Sequence, residues 1–308
     1  MFRERTTLVL GAGASLAYGF PSGAGLVAEL IHYHKSQTFL EICHSAGITS
    51  NVLGQFCHDL EVAAPESIDL FLHNRRADFE RIGKLAIAYC LIGYENEANT
   101  RQPKKELGPW YHLLANHLGK FKSELSQNQL CIVTFNYDRS LEYFLFTCFN
   151  SRFGLADDQA AELVRQFNIR HVYGKLGSLI WESGDGCFAR DYSEAHEMLA
   201  VKKCAKRVRL IHDVEKGTDD ELAAIRDSVQ KADHVFMLGC GFHDENMALL
   251  GLPGTGQPIN KDFHATCVGL TPPQETRVQK RWPGITLHNL NIDEVMTRLS
   301  AFHDIASA

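Results

Sequence analysis

The feature that most constrains the 308-residue chain is a short run near its start, Thr6-Thr7-Leu8-Val9-Leu10, that ends without a spacer in Gly11-Ala12-Gly13-Ala14-Ser15. Apolar and β-branched residues in succession, rather than in alternation, read as a strand buried on both faces. The glycines that follow read as a tight turn into a helix. Runs of similar character recur at Leu130–Phe135, His171–Val172, Val208–His212, His234–Leu238, Ala265–Leu270 and Ile285–His288, with helical stretches between them. Strands alternating with helices predict an α/β protein built on a parallel sheet with helices on both faces.

Between the first two strands the pattern turns helical, giving an insert at about 39–126. Its clearest member is expected from Ile68 to about Tyr94, where Ile68, Phe71, Leu72, Phe79, Ile82, Leu85, Ala86 and Tyr89 recur at helical spacing. Another is expected to start at Pro109, a favoured first-turn residue, with Leu113, Leu114, Leu118 and Phe121 on one side. Later helices are expected at Asp138–Phe149, Asp157–Phe167, Asp219–Lys231 and Ile292–Phe302, and Gly/Pro-rich loops at Glu182–Asp191 and Leu252–Asn260. The expectation is one Rossmann-like domain over 1–308, interrupted by the helical insert. In an open α/β sheet ligands sit outside the carboxyl ends of the strands, so the loops after Leu10, Phe135, Val172 and Leu238 are the candidate site.

Composition excludes several classes. At 45% hydrophobic and 22% charged the chain is neither disordered nor fibrous. A net charge of -6 offers phosphate backbones no general attraction. Only Lys202-Lys203-Cys204-Ala205-Lys206-Arg207 is dense enough for a basic patch, and it reads as the solvated face of a helix. No direct nucleic-acid binding is therefore expected. Nine cysteines without a CxxC pair predict neither a disulfide framework nor a zinc ribbon. No apolar run reaches the roughly 18 residues of a membrane span, and the N-terminal residues lack the apolar core of a signal peptide. A cytoplasmic location fits these features. His32 and His34 lack the carboxylates or cysteines that would complete a metal site, and no metal is expected.

The loops carry specific chemistry. Gly11 and Gly13 could bring the backbone close to a diphosphate, met by unpaired N–H groups at the next helix start, with the Ser15 hydroxyl as a further donor. Leu16 stands where the dehydrogenase fingerprint has its third glycine, and no acidic residue closes a recognisable second strand, which disfavours a dehydrogenase. Asn136 and Asp138, two apart at a strand's carboxyl end, can both face the crevice, or can cap the helix that follows. His171 could accept a proton near neutrality, or be a core histidine; His212 and His243 stand in reserve. The loop Gly239-Cys240-Gly241-Phe242-His243-Asp244-Glu245-Asn246 can hold the adenosine half of a dinucleotide, with Asp244 as the alternative helix cap.

Taken together these motifs resemble the sirtuin family. Gly11 to Pro21, GAGASLAYGFP, resembles the sirtuin NAD-binding loop, with Gly19-Phe20-Pro21 in place of Gly-Ile-Pro. The Asp-Phe-Arg that follows there is Ser22-Gly23-Ala24 here. Thr134-Phe135-Asn136-Tyr137-Asp138 resembles the sirtuin TQNID motif, and Arg170-His171-Val172-Tyr173-Gly174 stands where sirtuins carry His-Gly, although this chain has no such dipeptide. The FNYD form, with Leu141 and Glu142 following, and the Gly239–Asn246 loop look like the sirtuin-like NAD⁺ hydrolases of bacterial antiphage defence.

The resemblance implies NAD⁺ as substrate and no metal. It assigns Asn136 to positioning ribose and the attacking water, His171 to accepting a proton, and Asp138 to recognising the nicotinamide carboxamide. Gly11, Ala12, Gly13, Ser15, Phe20, Pro21, Gly239, Gly241 and Asn246 would bind the rest of the dinucleotide. Sirtuin deacylases admit their peptide beside a Cys₄ zinc module, which the missing CxxC pairs exclude here. Water is then the expected acceptor, giving nicotinamide and ADP-ribose. Such an activity would need gating by a homo-oligomer or by a separate sensor, such as a helicase-like ATPase, an Argonaute-type protein or a nucleotide-processing enzyme. The alternatives are a non-catalytic NAD⁺ or ADP-ribose sensor and an NAD-dependent deacylase or ADP-ribosyltransferase.

Overall fold

The computed structural model describes residues 1–182, 188–194, 196–215, 220–254 and 256–304. Six strands, β1 (Thr6–Leu10), β2 (Leu130–Thr134), β3 (Ile169–His171), β4 (His234–Leu238), β5 (Asp262–Thr266) and β6 (Ile285–His288), pair in the order β3-β2-β1-β4-β5-β6. Every pairing is parallel. β1 and β4 are buried at all five positions, which is why their sequences run apolar without alternation. The result is a Rossmann-like α/β fold flanked by helices. From β1 the chain steps outward through β2 and β3, then crosses back to lay β4 on the other side of β1. That reversal opens a crevice between the loops leaving β1 and β4.

Four expectations need correction. No strand forms at Val208–His212: the Leu210 N–H donates to Asp213 Oδ2 at 3.0 Å, and the chain turns into a helix at Ile211–Glu215. Side-chain capping of this kind competes with sheet pairing, and a short apolar run cannot reveal it. The run predicted at Ala265–Leu270 begins at Asp262 instead and stops at Thr266, with Gly269 (φ 89°) turning the chain beyond it. The helix expected over Ile68 to Tyr94 is two, Ile68–Asn74 and Arg76–Tyr94, broken at Arg75 (φ -119°, ψ 31°). The helix expected from Pro109 is Tyr111–Leu118, ended by Gly119, so Phe121 lies beyond it and is exposed. Residues 183–187 and 255 of the two predicted Gly/Pro-rich loops, and Asp219 at the start of a predicted helix, lie outside the described residues.

The insert is continuous with the sheet's core. Leu8 and Val9 of β1, Phe236 of β4, and Phe56, Ile87 and Leu114 of the insert belong to one buried apolar cluster. The insert also grips the segment after β1. Trp110 Nε1 donates to the Ala14 carbonyl at 2.9 Å, the Tyr111 N–H donates to the Tyr18 hydroxyl at 2.7 Å, and the Tyr18 and Tyr111 rings stack at 3.6 Å. Burying each such ring contributes about 1.5–3 kcal/mol. No described helix is long and apolar enough to cross a membrane.

Candidate functional site

A cavity of about 530 Å³ opens at the crevice, within the roughly 300–1,000 Å³ span of small-molecule sites. The β1 loop contributes Gly11, Ala12, Gly13, Ser15, Phe20 and Pro21; the β2 loop, Asn136 and Asp138; the β4 loop, Gly239, Gly241 and Asn246. Every residue the sequence assigned to dinucleotide binding therefore lies on one cleft, as does Asn136. His171 does not.

The glycines serve a contact between loops. A Cβ on Gly11 would lie 2.5 Å from the Gly239 carbonyl oxygen, and one on Gly13 2.7 Å from Gly239 Cα. Gly239, at φ 65°, would place its own Cβ 2.4 Å from the Ala14 nitrogen. The β1 and β4 loops thus interlock at backbone distance, which only glycine permits. This corrects the phosphate cradle. The N–H groups of Gly11, Gly13 and Ala14 bond to the carbonyls of Leu238 (3.0 Å), Gly239 (2.9 Å) and Gly11 (2.9 Å). The segment Ala12–Tyr18 is a 3-10 helix.

Ser15 is committed as well. Its hydroxyl donates to Asp138 Oδ2 at 2.9 Å and accepts from Asn136 Nδ2 at 3.1 Å. Asn136 Nδ2 also donates to the Gly11 carbonyl at 3.0 Å, so both amide hydrogens hold the β1 loop and Oδ1 keeps the side chain's accepting capacity. Asp138 Oδ1 accepts from the Ser140 N–H at 3.1 Å and from its hydroxyl, at the first residue of the helix Ser140–Phe153. Burial pushes the Asp138 carboxyl above its ordinary pKa, against the lowering effect of these hydrogen bonds. Asp138 takes the expected cleft position, whereas the helix's N-cap is Arg139 and makes no side-chain capping bond.

The histidine expected as proton acceptor is placed elsewhere. His171 Nδ1 lies 2.8 Å from the Asn136 carbonyl and Nε2 2.7 Å from Glu142 Oε1, with its side chain 5% exposed. It is a hydrogen-bonded core residue that props the Asn136 backbone from behind. Burial would raise the Glu142 carboxyl, but His171 and Lys175 hold it down at about 2. Of the reserves, His212 is buried beside Glu80 and Asp213. Those three could surround a metal ion, yet Lys84 and Arg76 already neutralise the two carboxylates. Among the described residues His243 is the one histidine that lines the cleft, with Nδ1 3.6 Å from Glu66 Oε2. It follows Phe242, whose φ of 56° is rare for a bulky residue and is typical of functional loops.

Several cleft residues escaped the sequence reading. The Tyr173 hydroxyl donates to Asn246 Oδ1 at 2.5 Å, and Tyr173 lines the cleft. Asp69, on the insert helix capped by Ser67, accepts from the Tyr137 hydroxyl at 2.7 Å, and burial raises its carboxyl. Thr266 Oγ1 accepts from the Gly239 N–H at 2.9 Å. Behind the cleft, Glu95 Oε1 accepts from Arg139 Nε at 3.0 Å and Oε2 from Nη2 at 2.6 Å, and Oε2 also meets Arg190; all three side chains are fully buried. That triad ties the insert to the residue following Asp138. The cleft holds four carboxylates, Glu66, Asp69, Asp138 and Glu245, and no lysine or arginine among the described residues. Neither the protein-family models nor the curated proteins contain a match to this chain.

Proposed function

We propose that the cleft binds NAD⁺ and hydrolyses its nicotinamide–ribose bond, releasing nicotinamide and ADP-ribose. The observation that carries this reading is the convergence of the β1, β2 and β4 motifs on one acidic cavity at the sheet's crossover. As the C–N bond breaks, nicotinamide leaves neutral and positive charge grows on the ribosyl carbon. Carboxylates in a cleft free of side-chain cations stabilise that charge. Water then adds to the carbon; Asn136 Oδ1 orients it and His243 takes its proton, the role the sequence had given to His171. The lining has no lysine or arginine among the described residues and the Gly11, Gly13 and Ala14 N–H groups are engaged, so the diphosphate would be met by other backbone N–H groups of the lining.

On this reading the protein is an effector of the antiphage type, acting in the cytoplasm and gated by self-association or by a separate sensor protein. Nicotinamide release by the purified chain, across protein concentration and with candidate partners, tests it. Asn136→Ala and His243→Ala should each lower release by about 10²-fold or more. Release undiminished in both would refute the site.

A second reading, a sensor that holds NAD⁺ or ADP-ribose without turnover, draws on two observations. The Asn136 amide hydrogens and both Asp138 oxygens are spent inside the protein, and tyrosine rather than histidine precedes Gly174. It predicts tight binding without nicotinamide release under any condition. Deacylation and ADP-ribosylation gain no specific support.

A further inference from the structure

The basic run at Lys202–Arg207 does more than coat a helix. The helices Arg76–Tyr94 and Met198–Ala205 flank a groove of about 820 Å³ that is separate from the cleft. Five cations line it, Arg76, Arg81 and Lys84 from one segment and Lys202 and Lys206 from another more than a hundred residues away, against Asp78 and Glu80. Both carboxylates are already matched: Glu80 by Arg76 (2.8 Å) and Lys84 (3.0 Å), Asp78 by Arg75 (3.0 Å). Lys84 is further held by Asp213 at 2.7 Å. Among the described residues no carboxylate pairs with Arg81, Lys202 or Lys206; Lys202 Nζ has only the Ser45 carbonyl, at 3.1 Å. Three unmatched cations therefore converge on one concavity of a chain whose net charge is -6. Ala77 is exposed between them, and the largely buried Leu85 and Ala205 also line the groove.

We propose that this groove is a second ligand site, for an organic polyphosphate of nucleotide size. Arg81 can fork onto one phosphate while Lys202 and Lys206 meet the others as point charges, and the alanine and leucine lining accommodates the organic part. A nucleic-acid polymer fits less well, because it needs cations spaced along a track and these are gathered in one place. Apolar contact with a limited number of converging polar groups is the usual make-up of a small-molecule site. The inference stands apart from the NAD⁺ reading, since the two cavities share no lining residue.

Calorimetric titration tests it, with ATP, inorganic tripolyphosphate and adenosine as probes, on the parent chain and on chains altered only in the groove. The parent chain should bind ATP and tripolyphosphate in a salt-sensitive manner and adenosine far more weakly. In R81E/K202E/K206E the affinity for ATP should fall roughly tenfold or more, with a smaller loss in R81Q/K206Q. An unchanged circular dichroism spectrum excludes misfolding as the cause. Equal ATP affinity in parent and charge-reversed chains would overturn the site, as would a parent that binds neither phosphate probe. Tighter binding of a single-stranded oligonucleotide than of ATP would overturn the choice of ligand.

Discussion

The two concavities of this protein are built on opposite principles. The carboxyl-edge cleft is acidic, and its polar side chains are bonded to one another: Ser15 to Asp138 and Asn136, Asn136 to the Gly11 carbonyl, Tyr137 to Asp69. The groove between Arg76–Tyr94 and Met198–Ala205 is basic, and Arg81 and Lys206 stand exposed without carboxylate partners among the described residues. A network that is buried and satisfied fixes geometry, and removing one member leaves others stranded. Solvated cations fix nothing and remain available. The cleft should therefore show its substitutions in stability as well as in binding, and the groove in binding alone.

The largest break in that contrast should come from Glu95. Glu95→Ala leaves the Arg139 and Arg190 guanidiniums buried without a counter-charge, which destabilises a protein by about 3–5 kcal/mol. Against a typical total of about 5–15 kcal/mol this is a major loss. Urea unfolding reads it directly. A change under about 1 kcal/mol would mean that water reaches the guanidiniums and that the triad does not brace the cleft.

Next in size is the interlock of the β1 and β4 loops. Gly13→Ala sets a methyl 2.7 Å from Gly239 Cα, where neither backbone can yield cheaply, and about 1–3 kcal/mol of stability should be lost together with the NAD⁺-induced thermal shift. Gly54→Ala is the control: it sits in the helix Ser50–Ala63 with open space around it, and should stabilise by about 0.5–1 kcal/mol. Equal effects in the two variants would remove the claim that close approach, rather than chain flexibility, selects glycine at position 13.

How much of this could be read from the sequence depends on the range of the interaction. β1 and β4 are legible because burial on both faces writes itself into consecutive residues, and the Asn136–Asp138 and Gly239–Asn246 loops follow from their place after strands. Val208–His212 has the same apolar look, but the deciding contact is one carboxylate on one N–H, and composition does not register it. β5 begins three residues early because Asp262 and His264 break the apolar pattern while keeping strand pairing. The Glu95 triad was invisible: its partners lie 44 and 95 positions away, and a lone Glu after a helix carries no mark of burial. His171 misled for a related reason. Its neighbour in space, Glu142, sits 29 residues earlier, and that contact is what removes the ring from the cleft.

That pair supplies a pH test. Glu142 has its folded-state pKa depressed to about 2 from 4.5. A depressed carboxylate contributes stability that is fully present above its unfolded value and is lost as pH falls through the folded one. Denaturant midpoints should therefore decline as pH drops from 4.5 toward 2, and this part of the decline should vanish in Glu142→Gln. A Glu142→Gln chain with an unaltered acid limb would place the acid sensitivity elsewhere.

The smallest expected effect sharpens the contrast most. Reversing Arg81, Lys202 and Lys206 together removes no buried contact; Lys202 gives up one hydrogen bond to the Ser45 carbonyl at the surface. Substitutions of this kind normally stay within about 0.5 kcal/mol each, and relief of crowding among five cations offsets part of that. The unfolding midpoint should thus hardly move in R81E/K202E/K206E while its ATP affinity falls. If stability dropped as steeply as it does for Glu95→Ala, the groove's cations would be structural, and the two concavities would differ in sign of charge but not in kind.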